Sequence, residues 1–429
     1  MENSVKNLIQ FIDHSPSCFH VIENAKKQFL EHGFIQLEEK EHWNLEEGKS
    51  YFVERNGSSM IAFHLPKKDF QGFHIVASHS DSPTYRIKEQ PEMSVEKHYT
   101  KLNIERYGGM IPETWFDRPL SVAGRIIIEE NGQIKDQLVN IDRDLMIIPN
   151  LAIHMSRSSN ESKQLNPQKD LLPLCGGNLT KDAFEEMIAK ESGVEKEDIL
   201  SYDLFLYNRM RGTTLGINEE FVAAPKLDDL ECAYSSIEGM LNAKLSEDYV
   251  TVCAVFDNEE VGSGTKQGAG STFFPEVLKR ISYLCGKNEE EYYMAVADSF
   301  MLSADNAHAV HPNYQDKTDP TNRPYINEGI VLKYNASQKY TTDANSAALV
   351  KYLCKKEKIK CQVFFNRSDM LGGSTLGNIL TGQVSIKAAD IGLPQLSMHS
   401  TYETAGCKDL DDMITLMGSF YELGKEVQI

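Results

Sequence analysis

The segment Phe73-His74-Ile75-Val76-Ala77-Ser78-His79-Ser80-Asp81-Ser82-Pro83 joins an apolar run to a short polar loop. The run predicts a buried β-strand, and the loop after it carries His79 and Asp81 in a His-x-Asp arrangement. A histidine so placed can bind a metal ion, while a carboxylate two residues later accepts the proton of its other ring nitrogen. Short motifs often occur by chance, so the same residues also fit a solvated loop. The rest of the chain has to show whether this one belongs to a metal site.

Four more segments place polar side chains near the ends of apolar runs. Charged residues that follow parallel strands lie at the carboxyl edge of the sheet, where open α/β folds bind their ligands. Two histidines and several carboxylates, all placed in this way, predict one metal cluster rather than unrelated surface charges. The segments are Lys226–Asp229, which begins a predicted helix to Leu245; Asp257–Ser263, after the strand-like Val250–Phe256; Ser303–His308, past the run Tyr292–Ala297, which predicts a strand; and Ser397–Ser400, after Gly392–Pro394.

The adjacent Glu259 and Glu260 suit a site with two metal ions. Two ions about 3.5–4 Å apart lower the pKa of a shared water and polarise a scissile carbonyl. A separate carboxylate near that water then serves as general base. An isolated Glu-Glu pair is usually a solvated loop, but the apolar residues Val252, Ala254 and Val255 just before it favour the edge of a cleft.

These motifs resemble the aspartyl aminopeptidases, a family of dizinc exopeptidases. The resemblance runs nearly from end to end, and the block from Ser303 to Tyr314 is its most specific part. It implies an α/β fold in which a mixed-sheet, zinc-exopeptidase-like catalytic domain carries an inserted β-rich dimerisation domain. The matching segments are Ser78–Asp81, Thr114–Arg118, Ile148–His154, Leu227–Asp229, Asp257–Ser263, Ser303–Tyr314 and Pro394–Ser400.

The resemblance also implies roles for individual residues. Asp228 would bridge two divalent ions, most simply zinc, although the ligand types also suit cobalt or manganese. Glu259 would be the general base and Asp81 the partner of His79. Asp229 stands where relatives often have Asn, so the sequence leaves open which of the two aspartates is the bridging ligand. The remaining ligands would be His79 and Asp305 at one ion, with Glu260 and His399 at the other.

Spacing alone leaves Asp298 as a rival to Asp305, and only the match to the family favours Asp305.

For the substrate, the net charge of −19 would repel acidic peptides, so an enzyme acting on them needs a local cation. Lys333 matches a family position proposed to bind an acidic side chain; the alternative is an exposed lysine at a strand end. The other candidates for substrate binding by resemblance are His308, Tyr340, Gly373 and Asp369, the last two being equally explained by a tight turn before a helix.

Local patterns divide the chain into a catalytic domain, residues 1–84 and 214–429, and an insert, residues 85–213. Residues 2–32 predict helix, and the hairpin dipeptides Asn56-Gly57 and Asn131-Gly132 each predict a turn between paired strands. The polar span 156–170 predicts a loop, 181–190 a short helix, and 410–426 the C-terminal helix. By resemblance the insert forms dimers that assemble into a dodecamer, and His154 reaches a neighbouring active site; the alternative is a structural histidine.

Composition narrows the function further. The acidic net charge argues against a nucleic-acid partner, and no apolar run of the sequence is long enough for a membrane span. Eight cysteines without C-x-x-C spacing indicate free thiols and a cytoplasmic protein. The expected activity is removal of one N-terminal residue from short peptides, acidic first, with a neutral residue such as leucine as the alternative. A related carboxypeptidase or deacylase and a non-catalytic scaffold are the rivals.

Overall fold

The computed structural model describes residues 2–155 and 164–427. In these residues the helices are α1 Glu2–Asp13, α2 Cys18–Glu31, α3 Pro167–Asp170, α4 Ala183–Ser192, α5 Leu227–Asn242, α6 Phe273–Leu284, α7 Glu289–Ala297, α8 Ala344–Glu357, α9 Leu376–Gln383 and α10 Cys407–Tyr421. The strands are β1 Ile35–Leu37, β2 Lys49–Arg55, β3 Ser59–Leu65, β4 Phe73–His79, β5 Thr84–Val95, β6 Tyr99–Tyr107, β7 Leu120–Glu130, β8 Gln133–Asn140, β9 Leu174–Gly176, β10 Ile199–Asn208, β11 Thr213–Leu215, β12 Phe221–Ala224, β13 Val250–Phe256, β14 Phe300–Ala304, β15 Ala307–His308, β16 Ile330–Lys333, β17 Cys361–Phe364, β18 Lys387–Gly392, β19 Pro394–Leu396 and β20 Glu403–Gly406.

A nine-stranded mixed sheet, in the order β1-β2-β3-β13-β4-β14-β18-β16-β17, forms the centre of the molecule. Its four middle strands, β13, β4, β14 and β18, run parallel to one another. The register pairs His79 with Phe256 and Ala77 with Ser303. The loops after β4, β13 and β14 therefore leave the sheet side by side, which confirms the placement that the sequence predicts.

Both faces of this sheet are covered, because successive side chains of a strand point to opposite sides. On β4, Val76 packs in one core cluster with α1, α2, α5 and α10. Its neighbours Ile75 and Ala77 pack in the other cluster with α6 and α7. Strands buried on both faces are nearly continuous apolar runs, as observed for β4 and β13.

The insert is a six-stranded antiparallel sheet in the order β8-β7-β10-β5-β6-β9. It has its own core, built from residues between Tyr85 and Leu206. Asn131 and Gly132, both with positive φ, form the predicted turn between β7 and β8. The predicted boundaries, 85–213, lie close to the ends of this sheet, and its role in dimers stays a prediction. Of the predicted loop 156–170, residues 156–163 lie outside the described residues and the last four form α3.

A third sheet of five short strands, in the order β11-β12-β20-β19-β15, lies at the carboxyl edge of the large sheet, where β15 follows β14. The loop between β19 and β20 carries His399. Two residues of that loop, Ser397 and His399, have positive φ, so the chain reverses sharply there. This tight turn brings the last predicted ligand back to the cluster.

Two local predictions differ from the structure. The predicted helix 2–32 is interrupted between α1 and α2, and the run Tyr292–Ala297 belongs to helix α7 rather than to a strand. Asn288 begins that helix with a capping box to Glu291, a signal that outweighs the apolar run. The strand itself, β14, starts after Asp298. Among the described helices, none combines the length and apolarity needed to cross a bilayer, and all eight cysteines are free thiols.

Candidate metal centre

The five predicted ligands meet at the carboxyl edge of the central sheet. His79 ends β4, Asp305 follows β14, Glu260 lies in a short 3-10 turn after β13, and Asp228 lies in the first turn of α5. His399 comes from the small sheet. Ligand atoms within 4.8 Å of one another form three overlapping groups: His79 with Asp228 and Asp229; His79 with Glu259 and Asp305; and Asp228 with Glu260 and His399.

Asp228 lies between the two histidines. Its Oδ1 is 3.6 Å from His79 Nε2, and its Oδ2 is 3.3 Å from His399 Nε2. Glu260 Oε1 is 3.4 Å from the same nitrogen of His399. A carboxylate with one oxygen toward each imidazole can bridge two ions. Asp229 is placed differently: its Oδ2 accepts the backbone N–H of His79 at 3.1 Å, and the peptide bond between the two aspartates is cis.

Asp81 organises the loops that carry three of the site residues. Its Oδ1 is 3.3 Å from His79 Nδ1 and accepts the backbone N–H of Glu259, while its Oδ2 accepts that of Glu260. Tyr107, on β6 of the insert, donates its hydroxyl to Asp81 at 2.6 Å. The insert therefore takes part in the hydrogen bonding around the site, a contact that the sequence did not predict.

Glu403 is a second residue that the sequence analysis missed. One oxygen of its carboxylate accepts the backbone N–H of His399 at 2.6 Å, and the other accepts that of Asp228 at 3.0 Å. The side chain is buried, with 1% of its surface exposed. No motif singles out this glutamate, because its role arises only where β20 packs beside the start of α5.

Burial has the largest effect on the pKa values of the cluster, and the crowded carboxylates add to it. Burial raises the pKa of Glu259 to about 8; His79 opposes the rise, and Asp305 and other carboxylates add to it. Burial and then the Asp228 charge likewise raise the pKa of Glu260 well above its usual range. For Asp228 burial raises the pKa, but the two nearby histidines, His399 and His79, together outweigh burial and lower it. Divalent cations would relieve this repulsion.

The donor set fits such ions. Asp228 Oδ1 and Glu260 Oε1 are buried oxygens without a hydrogen-bond donor among the described residues. A buried carboxylate oxygen with no partner is costly unless something else satisfies it. Imidazole nitrogens and carboxylate oxygens together are ligands that zinc accepts readily.

Three predicted substrate-binding residues lie beside Asp305. Lys333 is 2% exposed, so the alternative of an exposed lysine is wrong. Its Nζ donates to the backbone oxygens of Asp305 and Asn306 and lies 3.1 Å from Asp305 Oδ1. The ring of Tyr340 lies 5.3 Å from this ammonium group. His308 is exposed, and its ring is 6.0 Å from that of Phe364, which packs against Tyr340.

The remaining predicted residues lie in exposed loops. Asp369 forms a two-bond ion pair with Arg367 in the loop between β17 and α9. Gly373, in the same loop, has open space where a side chain would be. His154 is exposed on a 3-10 turn of the insert, Ile153–Met155. Asp298, the rival of Asp305, ends α7 before β14 begins and accepts a hydrogen bond from Tyr249, so it lies at the other end of that strand.

Comparisons with known proteins find similarity along nearly the whole chain. Residues 11–421 match the profile of the aminopeptidase I zinc metalloproteases (M18). A probable M18 family aminopeptidase 2 from Clostridium acetobutylicum is 46% identical, over 97% of this chain and 98% of its own. One from Pseudomonas aeruginosa (strain PAO1) is 37% identical, over 97% of each chain. Among solved structures, the Ape4 and Nbr1 complex matches with a TM-score of 0.95 at 37% identity, covering 98% of this chain and 85% of that one. The S. cerevisiae mApe1 dodecamer matches at 0.86 and 27%, covering 98% and 97%.

Proposed function

Because this chain belongs to the M18 family of zinc metalloproteases, a family of aminopeptidases, we propose that it removes single N-terminal residues from short peptides at a two-ion centre. The family identifies it as a metal-dependent aminopeptidase. The observation that carries the two-ion centre is the position of Asp228, which faces His79 with one oxygen and His399 with the other.

In this proposal, His79 and Asp305 would hold one zinc ion, Glu260 and His399 would hold the other, and Asp228 would be the ligand shared by both. One buried oxygen each of Asp228 and Glu260 has no donor in the described part of the chain, which supports this assignment. When bound, such a pair of ions acidifies a shared water and polarises the scissile carbonyl. Asp81 and Glu403 hold the ligand loops in place through the backbone N–H groups that they accept.

Glu259 is the proposed general base. It lies with His79 and Asp305 in one group of ligand atoms, and its backbone is fixed by Asp81. In the catalytic cycle its carboxylate takes a proton from the attacking water and returns that proton to the departing amine. Burial raises the pKa of this carboxylate, and a raised pKa helps a general base to accept the proton.

For the substrate side chain we propose an acidic residue, Asp or Glu, with Lys333 as its cation. Lys333 already donates to the 305–306 segment, so pairing with a substrate requires the exchange of at least one of those bonds. A neutral side chain such as leucine requires no exchange, and this observation favours the neutral alternative. The proposed substrate wall also includes His308, Tyr340, Gly373 and Asp369.

We further propose a homo-oligomer, with residues 85–213 as the dimerisation domain between the two catalytic segments 1–84 and 214–429. Leu151, Ile153 and Met155 are exposed apolar residues around His154, which suits a surface covered by another copy. The yeast mApe1 relative is a dodecamer. In such an assembly His154 would reach the active site of a neighbouring subunit.

For the location we propose the cytoplasm, because free thiols are typical of a reducing compartment.

A substrate panel tests the function. Purified full-length protein, with zinc, cobalt or manganese, is assayed on aminoacyl-coumarins of Asp, Glu, Leu and Ala. We expect turnover that a chelator abolishes and added metal restores. Short peptides with an acetylated N-terminus and a free C-terminal carboxylate, assayed by the products released, should resist cleavage. Cleavage of the capped peptides would favour the carboxypeptidase or deacylase reading, and turnover that survives complete metal removal would contradict the two-ion centre.

A further inference from the structure

Asp390 is a fully buried carboxylate that holds three separate segments together. It lies on β18, opposite Ser303 of β14, and its Oδ1 accepts the hydroxyls of Ser303 at 2.8 Å and of Thr375 at 2.5 Å. Its Oδ2 accepts both the backbone N–H and the hydroxyl of Thr341, at 2.5 and 2.6 Å. The carboxylate therefore collects four hydrogen bonds from uncharged donors.

Two of these segments are loops on the substrate side of the metal centre. Thr341 directly follows Tyr340, whose ring contacts Lys333 beside Asp305. We call residues 334–342 the first loop. Thr375 ends the second loop, residues 365–375, just before α9. The two loops also touch each other, because Lys339 donates to the backbone oxygen of Gly372.

The third segment is the strand that leads into the metal centre. Ser303 lies on β14, two residues before Asp305, so the same carboxylate ties both loops to the strand that leads to a proposed ligand. Helix α9 begins in close contact with this point, since a Cβ at Gly377 would lie 2.7 Å from Ser303 Oγ and 2.9 Å from Asp390 Oδ1. Only glycine allows this approach.

We propose that Asp390 is a positioning residue for substrate binding: it fixes the first and second loops against β14 as a preformed wall beside Asp305. This inference rests on the proposed aminopeptidase function. A buried carboxylate that accepts four hydrogen bonds confines both loops, and a wall ordered in advance does not lose entropy when the substrate binds. The loops make the contacts with substrate, whereas Asp390 acts only through them.

The two threonines allow each loop to be released separately. Thr375→Val removes the one hydrogen bond that the second loop donates to the Asp390 carboxylate. Thr341→Val removes one of the two that the first loop donates to that carboxylate, and Thr342 bonds only the Asp390 backbone. We expect KM to rise about 3- to 10-fold in each variant, the effect of one net hydrogen bond. We expect kcat and bound metal to remain within about twofold of wild type. Thr375→Ser keeps the hydroxyl and should restore the wild-type KM.

A matched control comes from Thr251, a buried threonine on β13 whose hydroxyl has no partner among the described residues. Thr251→Val makes the same chemical change away from Asp390 and should leave KM unchanged. Asp390→Asn tests the carboxylate itself: one oxygen can still accept from Thr341, and the new amide can donate to the hydroxyls of Thr375 and Ser303. Its KM should therefore rise no more than that of Asp390→Ala.

Hydrogen exchange gives a readout that does not depend on activity. Thr375→Val should lose amide protection in residues 365–375 alone, and Thr341→Val in residues 334–342 alone. Unchanged exchange and unchanged KM in both variants would overturn the proposal. So would loss of kcat and metal at constant KM, which would place Asp390 in support of the metal centre. If the wild type cleaves no aminoacyl substrate, the proposed function fails, while exchange still decides whether Asp390 anchors the loops.

Discussion

Replacing Glu403 is the sharpest test of how this metal centre is held together. The Glu403 carboxylate accepts the backbone N–H of His399 with one oxygen and that of Asp228 with the other. Glu403→Ala leaves two donors that face a buried space without an acceptor. Each unsatisfied buried donor costs about 1–3 kcal/mol, so the pair would cost about 2–6 kcal/mol of folding free energy. Glu403→Gln keeps one acceptor and should cost about half as much.

The effect on metal binding is more specific than the effect on stability. Both N–H groups belong to proposed ligands of the ion between Asp228, Glu260 and His399. Loss of an outer partner of this kind typically weakens metal affinity 10- to 100-fold. We therefore expect Glu403→Gln to lose the ion at this site first, while His79 and Asp305 retain the other.

The assay is competition with a chromophoric chelator, which resolves the two affinities, combined with thermal unfolding. Glu291→Gln is the matched control, because Glu291 also accepts a backbone N–H, from Asn288 at the start of the remote helix α7. It should leave both affinities unchanged. If folded Glu403→Gln and Glu403→Ala bind two ions with wild-type affinity and keep the wild-type kcat/KM, the proposed role of Glu403 is wrong.

Three further predictions concern the base, the insert and the pH dependence of stability. Glu259→Gln should keep both ions by metal analysis yet lose most of kcat; substantial activity would remove Glu259 as the base. Tyr107→Phe removes the hydroxyl that donates to Asp81 and should lower kcat/KM about 10- to 100-fold, whereas Tyr99→Phe, at an exposed tyrosine of the same strand, should not. Burial lowers the pKa of His74 in the folded protein to about 3, whereas its usual pKa, expected in the unfolded chain, is about 6.5. Above about pH 6.5 the imidazole is neutral in both states, so folding does not have to remove a proton from it. Stability should fall as pH drops from about 6.5 toward 3, and His74→Phe should flatten that part of the curve of unfolding free energy against pH; an equally steep curve would assign the loss to other groups.

The sequence predicted most of the catalytic framework because local patterns determine it. Apolar runs at β4 and β13 define strands, and the polar residues directly after them have only one edge of the sheet to occupy. His79, Glu259 and Glu260 were therefore placed correctly in the fold from the chain alone. The hairpin dipeptide Asn131-Gly132 likewise predicted the turn in the insert.

The misassigned run at Tyr292–Ala297 shows where local reasoning fails. Periodicity does not separate a short buried strand from a helix, and here the Asn288 cap was the stronger signal. Because the strand is Phe300–Ala304, Asp305 rather than Asp298 lies at the carboxyl edge of the sheet. The sequence alone left those two aspartates equivalent.

The sequence by itself determined the residue types of the proposed ligands and, for His79, Glu259 and Glu260, the strands that lead to these residues, since the apolar runs stand directly before them. Only the tertiary structure decided which groups hold them: Glu403 behind Asp228, Tyr107 against Asp81, and Asp390 between two loops. These partners lie far apart in the chain and share no motif. Their roles arise because a buried carboxylate needs hydrogen-bond donors, and which donors lie close enough is determined only when separate sheets and loops pack together.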